Sequence, residues 1–589
     1  MKNYLLITLG HNSSAIYVDN SQFEETKKSC IIGYEEERLS RIKADSQFPI
    51  DAINEIIYNV GLANMKGCKI LISHWFNFTG AEIPNKYITS QDINFLLSIS
   101  SDIQYVNEKF THHDAHAWSA YEFRDFFKKQ DGNIPIYCIV ADGFGNNEEV
   151  LSIYRRDNGK KPELVDRFYG YRNSLGLFYQ YATSFVGMKE NQDEYKFLGY
   201  EAHIDEAFGE EAISYIAAQS DNIVERFKTM YSSEISKTMP NINASQLINM
   251  EHLTKTKKFW YNSFADVLNG LGYSEKEFTS FEARVAIAFV IQRTVEKVIT
   301  FIAASYGMQH ICLAGGLFYN VKLNNKVLKY VQQIGGTVSI MPLAGDQGAA
   351  IGMYAAQEDT PQYPFETLAI GTRRLYNIEK YESQNIHIKQ VPKAEEAKRM
   401  LALEIAYNIS QNRIVNVIYG NMEFGPRALC NTSSLFLPST KLTAENNANN
   451  LRNEVMPCAP VCREVHVPRL FSAEEANCVI GSTRFMICTL HYDGRSYSKL
   501  YGGVMHKETL VDNSYTGRPQ VVRDGTFMEE VLKYVQIHTD MKCLVNTSFN
   551  CHGNPIVFDT ADIISNYKAQ CERAKRNGTE EPILYIIKY

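Results

Sequence analysis

Residues 134–156 read "IPIYCIVADGFGNNEEVLSIYRR". An apolar, β-rich run meets a polar loop at Asp142 and Gly143, and a second apolar run follows. That order predicts a strand, a loop and a strand. Residues 4–18, "YLLITLGHNSSAIYV", repeat it around His11. Two more strands lead into helices: "HICLAGGLFYN" (310–320) turns at Gly315 and Gly316, and "VSIMPLAGDQGAAIGMYAA" (338–356) turns at Asp346. Polar loops at strand ends bring backbone N–H groups and carboxylates to one rim. Four of them predict an α/β body with a nucleotide- or phosphate-binding cleft.

Outward from these loops the chain divides. Residues 204–306 read as helical, and the clearest helix, "FEARVAIAFVIQRTVEKVITFIAASYG", ends at Gly307 as a C-terminal cap would. Periodicity fades over 357–385, which carries two prolines and reads as a connection. A helix-period stretch, "KAEEAKRMLALEIAYNIS", then opens a second body. The expected division is 1–360, a connection at 361–388, and 389–589. With 589 residues, two or more domains are expected. The net charge of −7 argues against broad electrostatic capture of nucleic acid. The 12 cysteines are scattered, which argues against a disulfide scaffold. The opening apolar run is short for a signal peptide, and no segment is apolar for long enough to cross a bilayer. The expectation is a soluble cytoplasmic protein.

One helix start carries chemistry. In "THHDAHAWSAYEF" (111–123), Thr111 and Asp114 have the spacing of a capping box. A helix starting there puts His112 and His116 on one face, one turn apart, and sends His113 elsewhere. Two imidazoles so placed can grip one divalent ion, given carboxylates from elsewhere. Asp142 and Asp346, at strand-end turns, are candidates.

Ten stretches, in order, carry a family resemblance: "GHNSSA", "EEERLSRIKADSQFP", "HHDAHAWSA", "ADGFGN", "DEYKFLG", "LAGGLFYNVKLNN", "GDQGAAIG", "GNMEFGPRALCNTS", "MPCAP" and "VNTSFNCHGNPIV". On them the chain resembles the NodU/CmcH family of ATP-dependent O-carbamoyltransferases. The resemblance implies an N-terminal actin-like ATPase domain, similar to the metalloprotein that transfers threonylcarbamoyl to tRNA, and a C-terminal YrdC-like α/β domain. It implies that carbamoyl phosphate and ATP, with Mg²⁺, give carbamoyladenylate at the C-terminal site. The carbamoyl group then passes, at the N-terminal site, to a hydroxyl of a small secondary metabolite. The family's iron, or a similar divalent metal, falls on His112, His116, Asp142 and Asp346. His11 is the implied base, and Lys43 the cation for charge developing on the carbamoyl oxygen. Gly143, Gly315, Gly316 and Asn320 match the nucleotide turns. Arg427, Arg452, His506, Arg518, Asn546, Ser548 and Asn550 match the carbamoyl phosphate and ATP site.

Some positions depart from the pattern. Thr432 stands where the family has arginine, and the family's Met-Gly-Leu-Ala-Pro-Tyr-Gly stretch reads "FLGYEAHI" here, so that Tyr200, Glu201 and His203 change a loop expected to line the acceptor pocket. Cys458, Cys462 and His466 invite a second metal, but Pro457 and Pro460 break the helix that would align them. Two other functions stay in view: a threonylcarbamoyl transferase acting on tRNA, and a non-catalytic ATP-gated module of the actin-like class. No nucleic-acid or membrane partner is expected. The acceptor is not legible, and the oligomeric state is open, a homodimer included.

Overall fold

The computed structural model describes all residues except 79–84, 129–133, 158–159, 243–245, 358–366, 453–457, 494–497 and 511–513. It is a mixed α/β fold. The first sheet uses β1 (Tyr4–Thr8), β2 (Ser14–Asp19), β3 (Cys30–Glu35), β4 (Lys69–Ser73) and β5 (Ile103–Tyr105) in the order β3-β2-β1-β4-β5. The second uses β6 (Ile136–Ala141), β7 (Glu149–Arg156), β8 (Glu163–Tyr169), β9 (His310–Ala314) and β10 (Thr337–Ile340) in the order β10-β9-β6-β7-β8. Read from the other edge, that is the same plan. In each sheet the first strand pairs antiparallel with the next in sequence and parallel with the fourth. The duplication has no counterpart as a sequence repeat, because strand order needs only matching apolar runs.

Two helices, His112–Phe127 and Ala349–Ala355, pack in the core shared by the sheets. They touch at Gly352, where a Cβ would lie 1.7 Å from the carbonyl oxygen of Ala115. Only glycine lets the backbones meet there. The contact fixes the turn of helix that carries His112 and His116. The predicted capping box is present: the Thr111 backbone N–H donates to Asp114 Oδ2 at 2.7 Å, and the Asp114 N–H donates to Thr111 Oγ1 at 3.4 Å. The long helix Phe281–Ser305 ends in the predicted way, with Gly307 at φ +61° and the Met308 N–H returned to the Ala303 carbonyl.

The second body is built on a seven-stranded sheet. Its order is Ile386–Gln390, Ile583–Lys588, Val415–Tyr419, Thr432–Phe436, Cys543–Ser548, Ala459–Arg463, Gln520–Val522. The strand Ile583–Lys588 is buried along almost its whole length, as a strand covered on both faces requires. The segment read as a connection is more than a linker. Its residues 361–366 lie outside the described residues, but Ala369–Gly371 forms a strand against Met422–Glu423. Arg373 just beyond is buried and donates to the carbonyls of Gly420, Asn431 and Val557 and to the Thr432 hydroxyl.

That arginine explains the departure at Thr432. The threonine hydroxyl lies between Arg373 and Glu423, and the Glu423 carboxylate also collects the backbone N–H groups of Leu429, Asn431 and Thr432 at 2.8–2.9 Å. Glu423 thus shapes the Gly-Pro-Arg loop from within. Glu423→Gln keeps the volume and removes the charge. Hydrogen bonds to a charged group are worth about 1.5–3 kcal/mol each, so the variant is expected to lose about 2 kcal/mol. Urea unfolding checks this. An unchanged midpoint would mean that the loop is held by other contacts.

Candidate metal centre and facing cavity

Four side chains converge where strands of the second sheet end. His112 and His116 are fully buried on their helix. Their Nε2 atoms face each other at 3.1 Å. His112 Nε2 is 3.4 Å from both Asp142 Oδ2 and Asp346 Oδ1, and His116 Nε2 is 3.6 and 3.8 Å from the same atoms. All four donor atoms lie within 4.8 Å of one another. Metal–ligand bonds of about 2.0–2.2 Å would place neighbouring donors roughly 3–3.5 Å apart, so the set fits a first-row divalent ion. His113 turns away, as predicted, its Nδ1 2.8 Å from Ser152 Oγ.

The electrostatics favour positive charge at this point. Burial disfavours a proton on His112, yet the hydrogen bonds and charges of Asp142 and Asp346 push its pKa up to about 10. Burial would raise the Asp142 carboxyl, but the two histidines hold it well below the usual carboxylate range. Asp346 is lowered by the same balance. The carboxylate of Asp142 is aimed by backbone. Its Oδ1 accepts from Gly143 N at 2.8 Å and Gly316 N at 3.2 Å, leaving Oδ2 for the imidazoles. Gly315, at φ +98°, permits this turn: a Cβ there would lie 2.2 Å from the Ala141 carbonyl oxygen.

The other predicted residues of the first body divide. Burial pushes the His11 imidazole down, while Asp346, Asp142 and Glu37 pull it up and Lys43 pushes it down. The histidine therefore shares the field of the cluster and tends to be neutral, as a base must be. Lys43 reaches Glu37 Oε1 at 3.4 Å. The Asn320 side chain caps the helix Val321–Gln333 through Leu323 N and bonds Gln292.

Residues 6–356 match the family model described as carbamoyltransferase N-terminus, and residues 406–572 match carbamoyltransferase C-terminus. The chain belongs to the carbamoyltransferase family. It is 25% identical to protein MJ1051 of Methanocaldococcus jannaschii over 95% of both chains. It is 24% identical to nodulation protein NolNO of Sinorhizobium fredii, over 95% of this chain and 77% of that one. A solved structure of full-length HypF in phosphate- and nucleotide-bound form covers 60% of this chain and 55% of that one, with 13% identity and a TM-score of 0.28. A ROK family glucokinase from Streptomyces griseus covers 60% of this chain and 98% of that one, with 11% identity and a TM-score of 0.25.

In this carbamoyltransferase the predicted second-body residues fall into three places. Arg452 is clamped on Thr547, Ser548 and Asn550, and donates to Asn550 Oδ1 at 3.0 Å. Asn546 donates to the Ala428 carbonyl at 2.9 Å, beside Arg427, and to Gln520. Arg427 has no hydrogen bond or ion pair among the described residues, and its buried Nε is unpartnered. Burial lowers its pKa against the pull of Tyr319 and Tyr195, both residues of the first body. His506 and Arg518 line a separate cavity. Cys458, Cys462 and His466 do not form a metal cluster among the described residues: Cys458 lines that cavity, while His466 Nε2 is 2.8 Å from Gln536 Oε1.

Sequence reasoning missed the residues that join the bodies. Glu35 Oε2 accepts from Gly425 N at 3.0 Å and from Arg38, which also donates to the Gly425 carbonyl. Glu35 Oε1 accepts from Gln347, the neighbour of Asp346. The "EEERLSRIKAD" stretch therefore holds the Gly-Pro-Arg loop against the rim of the metal centre. Three consecutive acids, Glu35 to Glu37, and Arg38 are all buried where β3 ends and the short helix Glu36–Ser40 begins, and buried charges demand partners.

Proposed function

We propose that the protein is an ATP-dependent O-carbamoyltransferase that makes carbamoyladenylate from carbamoyl phosphate and ATP and passes the carbamoyl group to a hydroxyl of a small metabolite. The observation that carries this reading is the His112–His116–Asp142–Asp346 cluster at the strand ends of a family carbamoyltransferase body. In this reading, residues 1–360 are an actin-like transfer domain, 361–388 connect, and 389–589 are a YrdC-like activating domain. The protein is soluble and cytoplasmic.

The residues divide the chemistry. Arg427, Arg452, His506 and Arg518, with Asn546, Ser548 and Asn550, hold the phosphates of ATP and carbamoyl phosphate. Guanidinium suits that bidentate work. At the first body, Gly143, Gly315 and Gly316 let backbone approach the nucleotide. The cluster's divalent ion, iron by family resemblance, supplies Lewis acidity when bound. His11 takes the proton of the acceptor hydroxyl. The acceptor oxygen bonds to the carbamoyl carbon, the carbon–oxygen bond to AMP breaks, and AMP leaves with that electron pair. Lys43 meets the charge that develops on the carbamoyl oxygen.

The test supplies ATP and carbamoyl phosphate without threonine. Pyrophosphate release is expected, together with a mass gain of one carbamoyl group on a hydroxylated acceptor from a metabolite screen. Release only when threonine and bicarbonate replace carbamoyl phosphate would instead make the protein a threonylcarbamoyl transferase. No pyrophosphate under either condition would leave the non-catalytic module.

A further inference from the structure

A cavity lies between the two bodies. Its wall includes Lys322 from the first body and Cys458, Thr489, His506, Thr516 and Arg518 from the second. Lys322 is the second residue of the helix Val321–Gln333. A cation in a first helical turn faces the positive end of the helix dipole, so the helix gains nothing from it. It is nevertheless 7% exposed. Behind it stands Glu201, buried, which pairs with Lys322 and accepts from the Thr509 hydroxyl of the second body. The first turns of the helix are locked to the far wall, with Asn324 and Asn325 donating to the Ile487 and Thr489 carbonyls at 2.7 and 2.8 Å.

His506, on the same cavity, is 7% exposed, and neither ring nitrogen has a hydrogen bond of normal geometry among the described residues. The buried hydroxyl of Thr516 is unpartnered among the described residues as well. Buried polar groups are ordinarily satisfied, and leaving them unpaired is costly. The His506 and Thr516 groups that lack partners among the described residues, set in one wall with Lys322 and Arg518, suit an anion with several acceptor oxygens.

We propose that this cavity is a phosphate site built by both bodies, in which Lys322 is the first body's ligand to an anion held from the other side by His506 and Arg518. The proposal rests on the reading that the second body activates the carbamoyl group. It adds that the activating site is incomplete without the first body. It also couples the two sites. One short run of chain sends Gly316 N–H to Asp142 and Lys322 to the cavity, so a phosphate bound at one end bears on the turn that aims a ligand at the other.

The phosphate could come from carbamoyl phosphate or from ATP, and binding to the full chain tells them apart. Carbamoyl phosphate alone and a non-hydrolysable ATP analogue alone are titrated calorimetrically. Removing one charged donor to an anion costs about tenfold in affinity or more. Lys322→Met should therefore weaken one of the two ligands by that factor, and the ligand affected names the source. Lys322→Arg should recover part of the loss. Lys322→Met also strands Glu201, so the deciding variant is Lys322→Met with Glu201→Gln, which removes both charges. If Lys322 binds the anion, the double variant stays weak while the metal content of the His–Asp cluster is unchanged. If Lys322 serves only to neutralise Glu201, the double variant binds both ligands as the unaltered protein does, and the proposal is overturned. Pyrophosphate release is scored separately. A protein that binds phosphate through Lys322 yet releases no pyrophosphate keeps this site and loses the proposed activity. A protein that releases pyrophosphate with Lys322 and Glu201 both neutralised, binding unchanged, keeps the activity and loses this site.

Discussion

Replacing His112 and His116 together with Ala is expected to strip the purified protein of its proposed divalent metal and to stop the proposed carbamoyl transfer. The two imidazoles provide two of the four converging donors, at 3.1 Å from each other. Changing even an outer partner of a metal ligand costs about 10–100-fold in metal affinity, and losing two direct ligands exceeds that. The remaining pair, Asp142 and Asp346, still holds two carboxylates close together in a largely buried place. Without the imidazoles nothing in the cluster supplies counter-charge, and one carboxyl will take up a proton instead. Elemental analysis of purified protein is the measurement, with the metal expected to be iron. A double variant that keeps both its metal and its full transfer rate would remove the cluster from the mechanism.

The two half-reactions separate by mutation. Carbamoyladenylate is a mixed anhydride that water destroys, so making it and using it both need shielded sites. His11→Ala is expected to keep releasing pyrophosphate while carbamoylating no acceptor. Loss of a positioned base costs about 10²–10⁴-fold in rate. Arg427→Ala is expected to stop pyrophosphate release and to recover transfer in part when carbamoyladenylate is supplied. Arg427 stands at the seam of the two bodies, within the field of Tyr319 and Tyr195, with no protein partner for its charge among the described residues. A bound phosphate would pair that charge. If Arg427→Ala lost only transfer, its guanidinium would belong to the first body's site, and the division of labour would be reversed.

Local chemistry was legible in the chain. The apolar runs around Asp142 and Gly315, the capping box at Thr111 and the four-residue step from His112 to His116 are short-range patterns, and each became the element it predicted. A helix period places two histidines on one face whatever lies around them. The two acids of the cluster were candidates because each sits at a strand-end turn, and the family resemblance singled them out. Partners far apart in sequence were not legible. Nothing in the linear chain pairs Glu35 with Gly425, Arg373 with Thr432, or Lys322 with Glu201. Such pairs depend on how sheets and bodies pack, and a single sequence encodes that packing only through the sum of many weak apolar contacts. The fold therefore decided the roles of particular side chains. It put Asn320 on a helix cap, closed Arg452 onto Ser548 and Asn550, and left polar atoms of Arg427 and His506 without partners among the described residues at the seam. Residue type sets what a side chain can bind. Which donors and acceptors already surround it, and so what it still has to offer a ligand, is settled only when the chain has closed around it.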